Sequence, residues 1–263
     1  MTSTPQGADS PPSPRSGTAS GGRERPWWGV TDAVLAIPWF AISMIVAGLV
    51  SAIAIAIGGE SLDAAETPVY ALFFGVLSFQ IAQATYPWLV SKYKGLGIGP
   101  DWRFVWSLPQ DLYIGFGMAI LCFAGAWIST TVVSNVVGLA DPGDASNTDI
   151  LVDNKGSLWL IGVIALVTIG APLAEELLFR GLILRTLQKA YGSVIAVVIS
   201  SFMFALPHWQ PGATWRETAV LLSALAVVGA VFAIGAVKTN RLGPAVIAHF
   251  LFNGTSTIIT LAL

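Results

Sequence analysis

The stretch 171-APLAEELLFRGLIL-184 places two glutamates and one arginine inside an otherwise apolar run. The whole chain is apolar, because 54% of its 263 residues are hydrophobic and only 11% are charged. Together with a mean hydropathy of +0.72, this composition predicts a membrane protein rather than one or two soluble domains. Ionisable side chains are costly inside a bilayer, so the stretch predicts a functional or tightly paired site.

Long apolar runs recur along the chain and predict an all-α fold, a polytopic transmembrane helical bundle with about seven spanning segments. A helix needs about 20 mostly apolar residues to cross the roughly 30 Å core of a bilayer. The fifth run is short for a span and could be a re-entrant or tilted helix. The runs cover residues 32–57, 69–91, 110–137, 157–190, 194–209, 218–237 and 243–262.

The two ends of the chain differ in composition. Residues 1–26 are rich in Pro, Ser, Gly and Thr and nearly lack apolar side chains, which predicts a disordered N-terminal tail. Polar side chains within the apolar runs crowd into the last hundred residues. We therefore interpret residues 27–137 as transmembrane helices that serve as scaffold or substrate guide, and residues 138–263 as catalytic transmembrane helices.

Charges outside the runs predict orientation and partners. Basic residues in the tail and at Lys92 and Lys94 flank an acidic connection, so the positive-inside rule places the N-terminus in the cytoplasm. We expect an integral protein of the plasma membrane. A formal net charge of −2 gives no indication of a nucleic acid partner, so the partner that the composition predicts is the lipid bilayer. Asp32, Asp101 and Asp111 lie near segment ends or in loops, where interfacial solvation is expected to be enough.

Glu175 and Glu176 lie near the middle of the fourth run, after Pro172, which can kink or restart the helix. Helical spacing places Glu176 and Arg180 four residues apart on one face, where they can form an ion pair. Glu175 points about 100° away from Glu176. It is therefore the carboxylate without an obvious partner, which suits a general base.

Both histidines of the chain fall in the same C-terminal region. His249 and Asn253 are four residues apart and share a helix face. An asparagine amide can stabilise a developing oxyanion, and an imidazole can donate or accept in the same site. With Glu175 and His208 they offer what amide hydrolysis by water requires: a base, groups that orient the water and donors for the tetrahedral intermediate. We expect these four side chains to converge on one cavity.

Each of these residues also has a structural interpretation. The Glu176–Arg180 pair could be a brace, a buried histidine is often an interhelical hydrogen bonder, and Phe204 taken alone is typical of a core residue. The histidines and the mid-segment glutamates nevertheless lie within about 80 residues of one another. This coincidence favours a shared functional site over independent packing roles.

Three motifs in this region resemble the CPBP family, the CAAX-protease and bacteriocin-processing intramembrane endopeptidases that are also called the Abi family. The family pattern is Glu-Glu-x-x-x-Arg, then Phe-x-x-x-His, then His-x-x-x-Asn or Asp. The chain has EELLFR at 175–180, FALPH at 204–208 and HFLFN at 249–253. The resemblance covers roughly residues 157–255, and the first three helices add little to it.

The resemblance implies an intramembrane endopeptidase that hydrolyses a peptide bond of a membrane-associated protein or peptide. Carried over by position, it implies that Glu175 activates the water and His208 helps to position it. His249 with Asn253 would form an oxyanion site. Three further motif residues would support the site: Glu176, Arg180 and Phe204. The resemblance leaves the substrate open among prenylated CAAX proteins, bacteriocins and other membrane peptides.

The water mechanism requires no cofactor, although family members are often labelled metalloproteases. Glu175, His208 and His249 could bind zinc in number, but HExxH is absent, so we predict no obligate metal. Two other functions fit the same polar residues. They are a proton-coupled transporter that relays protons, and a non-catalytic membrane scaffold or immunity factor that binds a peptide.

Overall fold

A computed structural model describes residues 26–61, 67–141 and 156–262, and every regular element in those ranges is helical. Six helices are long and apolar enough to span a membrane, and a shorter apolar helix follows the fourth of them. The predicted polytopic all-α bundle of roughly seven segments is thus confirmed, and the chain is an integral membrane protein. The predicted disordered tail lies almost wholly outside the described residues.

The helices are named here in chain order, and the long ones match the seven apolar runs to within a few residues. A short helix, α3, lies between the second and third runs and was not predicted. The helices are α1 Val30–Gly58, α2 Val69–Lys94, α3 Ile98–Trp102, α4 Gln110–Val137, α5 Leu158–Tyr191, α6 Ser193–His208, α7 Trp215–Thr239 and α8 Gly243–Ala262.

The starts of α6 and α7 follow from local sequence. Gly192 precedes α6 with φ 82° and ψ 171°, a positive-φ conformation that glycine adopts without strain. Thr214 caps α7: its hydroxyl accepts from the N–H of Glu217 at 3.3 Å, and the Glu217 carboxylate accepts from the N–H of Thr214 at 2.7 Å. These two signals set where the short α6 begins and where the next spanning helix begins after it.

Three aspartates near helix ends are buried in contacts between elements. Asp32 of α1 pairs with Lys94 of α2 at 2.6 Å, and Asp111 of α4 pairs with Arg241 at 2.8 Å. Asp101 accepts hydrogen bonds from two backbone N–H groups of the turn between α2 and α3. The expectation that interfacial solvation would be enough was wrong, because each carboxylate is removed from solvent and has a specific partner.

Helix α5 lies at the centre of the bundle, where it contacts α1, α2, α6, α7 and α8. Every residue from Glu176 to Leu187 is buried. Two segments of α5 are π-helical, Leu166–Gly170 and Glu176–Ile183, and they flank the α-helical turn Ala171–Glu175. The charged stretch of the sequence is therefore the irregular, buried middle of the central helix.

Candidate active site

Glu175 ends the α-helical turn that lies between the two π-helical segments of α5. Pro172 has no N–H, so the carbonyl of Val167, five residues earlier, lacks the donor that a π-helical turn would supply. The Asn253 side chain of α8 takes that place, because its Nδ2 donates to the Val167 carbonyl at 3.0 Å. The last helix thus holds the π-helical segment that comes directly before the turn with Glu175.

Helix α2 also binds the π-helical segment that precedes Glu175. Gln80 donates through Nε2 to the carbonyl of Leu166 at 3.0 Å. Gly170 packs directly against the Gln80 carboxamide, which would have to move if residue 170 carried a Cβ atom. Two side-chain amides from separate helices therefore fix the backbone just before Glu175.

Glu176 is completely buried and binds two cationic or polar partners through one oxygen. Its Oε1 accepts a hydrogen bond from Arg180 Nη1 at 2.9 Å, which confirms the predicted i,i+4 ion pair. The same oxygen lies 3.0 Å from Nδ1 of His249. Since a carboxylate can only accept, Nδ1 of His249 carries a proton, and Nε2 is the ring nitrogen that remains for chemistry.

That nitrogen faces the other glutamate. His249 Nε2 lies 3.9 Å from Glu175 Oε2, and Glu175 Oε2 is buried without a hydrogen-bond partner among the described residues. The separation is too long for a direct hydrogen bond and short enough for one water molecule to contact both atoms. The imidazole therefore links the paired carboxylate, Glu176, to the unpaired one, Glu175.

Aromatic rings enclose the charged groups. The Arg180 guanidinium lies 4.1 Å from the ring centroid of Phe204 and 5.1 Å from that of Phe232, a cation–π arrangement. Phe232 also stacks on the His249 ring at 4.9 Å, and Phe204 packs edge-on against it at 5.7 Å. Phe204 is thus a core residue, as its structural interpretation proposed, and at the same time a wall of the site.

His208 lies in the last turn of α6. Its Nδ1 is 3.1 Å from the carbonyl of Phe204, which can only accept, so Nδ1 carries the proton and Nε2 remains available. The His208 ring also packs against Phe204 at 5.4 Å. The Phe-x-x-x-His spacing therefore orients the histidine through both the backbone and the ring of the phenylalanine.

The four candidate catalytic residues line one cavity of about 610 Å³. They are Glu175, His208, His249 and Asn253. A second cavity of about 400 Å³, lined mainly by residues of α1 and α2, also reaches Glu175 and His208. These two residues lie where the cavities meet, and 15% of the Glu175 side chain is accessible there.

The donor atoms do not fit a zinc site. Among the described residues, no group of three His, Cys, Asp or Glu side chains is placed to hold a metal ion. A catalytic zinc normally takes three protein ligands. We assign no step to a metal.

Two glutamines of α2 were missed at the sequence level, because that helix was interpreted as scaffold. Gln80 supports the π-helical turn, and Gln83 is buried in the wall of the smaller cavity. The signal was present in SFQIAQATY, where two carboxamides lie three residues apart within an apolar run. Polar side chains at such positions generally face other helices or a cavity.

The candidate site lies in the part of the chain that matches a known protein family. Residues 157–255 match the family model described as type II CAAX prenyl endopeptidase, Rce1-like. The matched range contains the three motifs and all four cavity-lining residues named above. Searches of curated proteins and of solved structures found no match. The chain is therefore similar, over residues 157–255, to a family of CAAX prenyl endopeptidases, and the predicted resemblance to intramembrane proteases of the CPBP family is confirmed over that range.

Proposed function

We propose that the chain is an intramembrane endopeptidase that hydrolyses a peptide bond of a membrane-associated protein or peptide with water activated by Glu175. The observation that supports this best is the shared cavity, in which an unpaired carboxylate faces an imidazole nitrogen at 3.9 Å. The match of this part of the chain to a protease family favours hydrolysis over the other functions.

Glu175 is the proposed general base. A water molecule that contacts Glu175 Oε2 and His249 Nε2 gives a proton to the carboxylate while its oxygen attacks the carbonyl carbon of the scissile bond. His208, whose Nε2 is free to accept, orients the same water. Collapse of the tetrahedral intermediate breaks the C–N bond, and the proton held by Glu175 passes to the leaving amine.

His249 and Asn253 are the proposed oxyanion donors, and for His249 this role depends on the charge of its ring. With Nδ1–H directed at Glu176, Nε2 of His249 can donate only when the imidazole is charged. The charges of Glu175, Glu176, Arg180 and a charged His249 sum to zero, which is favourable in an apolar interior. Asn253 has two amide N–H groups, and the Val167 carbonyl uses one of them, so the other is available to the oxyanion.

A comparison of membrane proteomes tests the proposal. Cells that carry Glu175→Gln should lose the cleavage products seen with the unaltered chain, by about 10²–10⁴-fold in rate. Glu60→Gln is the matched control, since Glu60 is exposed just after the end of α1 and should leave cleavage unchanged. Products that persist in Glu175→Gln, or equal loss of expression in a Glu175→Gln and an Arg180→Ala chain, would contradict the assignment of Glu175 as base.

The Asn253→Ala variant separates hydrolysis from proton transport. Hydrolysis should slow by about 10²–10³-fold when an oxyanion donor is lost. A proton relay should continue in that variant with an altered pH dependence. Cleavage of a membrane peptide and proton flux in the same vesicles distinguish the two outcomes.

A further inference from the structure

Gln83 of α2 is an unpaired carboxamide inside the bundle. The residue is 1% exposed, and neither its Oε1 nor its Nε2 has a hydrogen-bond partner among the described residues. A buried carboxamide without partners is unfavourable for folding, whereas an apolar side chain of the same shape carries no such penalty. The position therefore calls for a partner that has both an acceptor and a donor.

The cavity beside Gln83 leads to the candidate catalytic residues. It has a volume of about 400 Å³ and is lined by Gln83 together with Glu175 and His208. Its lining also includes Met44 of α1, which is 56% exposed. The cavity thus contacts both an exposed residue of a spanning helix and the proposed general base.

The walls of this cavity are largely apolar. Three small residues line part of its α1 side, Ala47, Gly48 and Ser51, and two of them, Ala47 and Ser51, lie against Gly75 of α2. Phe40, Phe79 and Phe179 make the remaining wall largely apolar. Within such a wall, a peptide group loses its water and needs a replacement for both its N–H and its C=O.

We propose that Gln83 binds the backbone of the substrate beside the scissile bond. Oε1 accepts from a substrate N–H, and Nε2 donates to a substrate C=O, so that a carboxamide matches a peptide group in both polarity and number of partners. This inference rests on the proposed function and names the occupant of the smaller cavity as the peptide chain. A lipid or prenyl chain has no N–H to offer Oε1.

Gln80 provides the contrast, because it lies three residues earlier in the same helix and already has a protein partner. It donates to the Leu166 carbonyl and supports the turn before Glu175. Gln80→Met should therefore lower the unfolding temperature. Gln83→Met removes only unpaired groups, so its unfolding temperature should equal or exceed that of the parent chain.

Peptide binding is measured in detergent on full chains that carry the Glu175→Gln substitution, so that no peptide is cleaved. The probe is a fluorescent farnesylated peptide that ends in a CAAX tetrapeptide, together with versions in which each tetrapeptide N–H is methylated in turn. One methylation should weaken binding by about 2–12-fold when Gln83 is present. Gln83→Met removes both proposed hydrogen bonds, so it should weaken binding of the parent peptide by at least that factor, and that methylation should then have no further effect.

Equal affinities of the parent chain and the Gln83→Met variant for the unmethylated peptide would overturn the inference, as would methylation effects that persist unchanged in that variant. A lower unfolding temperature of Gln83→Met would also overturn it by showing a structural role. If neither the chain with Gln83 nor the Gln83→Met variant binds the farnesylated peptide, the inference is overturned for CAAX peptides. Failure of the unaltered chain to cleave a peptide that it binds through Gln83 would instead contradict the proposed function alone.

Discussion

Arg180 is the residue whose removal should damage the fold most clearly. Its side chain is fully buried and has three kinds of contact: an ion pair with Glu176 at 2.9 Å, a hydrogen bond to the Gly229 carbonyl at 3.2 Å, and the face of Phe204 at 4.1 Å. In Arg180→Ala, Glu176 keeps His249 as its partner but loses the arginine charge. The Gly229 carbonyl also loses a donor.

The expected loss of stability follows from the complete burial of the Glu176–Arg180 ion pair. Removing one partner of a buried ion pair costs about 3–5 kcal/mol, because the remaining charge is left uncompensated. A domain is typically stable by about 5–15 kcal/mol, so this loss should be visible as poor expression. The double variant Glu176→Gln/Arg180→Met removes both charges and keeps an acceptor for His249. It should therefore be more stable than Arg180→Ala, by about 2 kcal/mol or more.

The assay is unfolding by sodium dodecyl sulfate in mixed micelles, followed by the fluorescence of the ten tryptophans. Arg216→Ala is the matched control, because Arg216 is exposed at the start of α7 and should change the free energy of unfolding by less than about 0.5 kcal/mol. An Arg180→Ala chain within about 1 kcal/mol of the parent would refute the reasoning. So would a double variant less stable than the single one.

The positions of the spans could be predicted from the sequence because they depend on a local property. The runs predicted at residues 110–137 and 243–262 coincide with α4 and α8. Apolar length is set by the bilayer thickness and needs no knowledge of tertiary contacts. The Glu176–Arg180 ion pair could also be predicted from a local property, since a spacing of four residues places both side chains on one helix face.

The support of the site could not be predicted, because it depends on contacts between distant segments. Pro172 predicted an interruption of α5, but it did not predict the π-helical form or the side chains of other helices that bind the carbonyls of Leu166 and Val167. Gln80 and Leu166 are 86 residues apart, and so are Asn253 and Val167. Asp111 and Arg241, which are 130 residues apart, form an ion pair that no local pattern indicates.

The proximity of His249 and Glu175 is a further contact that position along the helices did not predict. His249 lies six residues after the start of α8, whereas Glu175 is near the middle of the 34-residue α5. The structure nevertheless brings Nε2 of His249 within 3.9 Å of Glu175 Oε2.

Two further outcomes are expected. Gly229→Ala should lower the free energy of unfolding by about 1–3 kcal/mol in the same titration, because the new Cβ would lie 3.1 Å from Phe204 and 3.2 Å from the Ser201 backbone. The matched control is Gly117→Ala, which has open space around its Cβ and should not lower the free energy of unfolding. Purification with a chelator should leave cleavage of a membrane peptide unchanged, since a zinc would have to draw together three ligands that the described residues do not group. Near-stoichiometric bound zinc, with activity lost to the chelator and restored by the metal, would mean that the site rearranges around an ion and that Glu175 is a ligand rather than the free base.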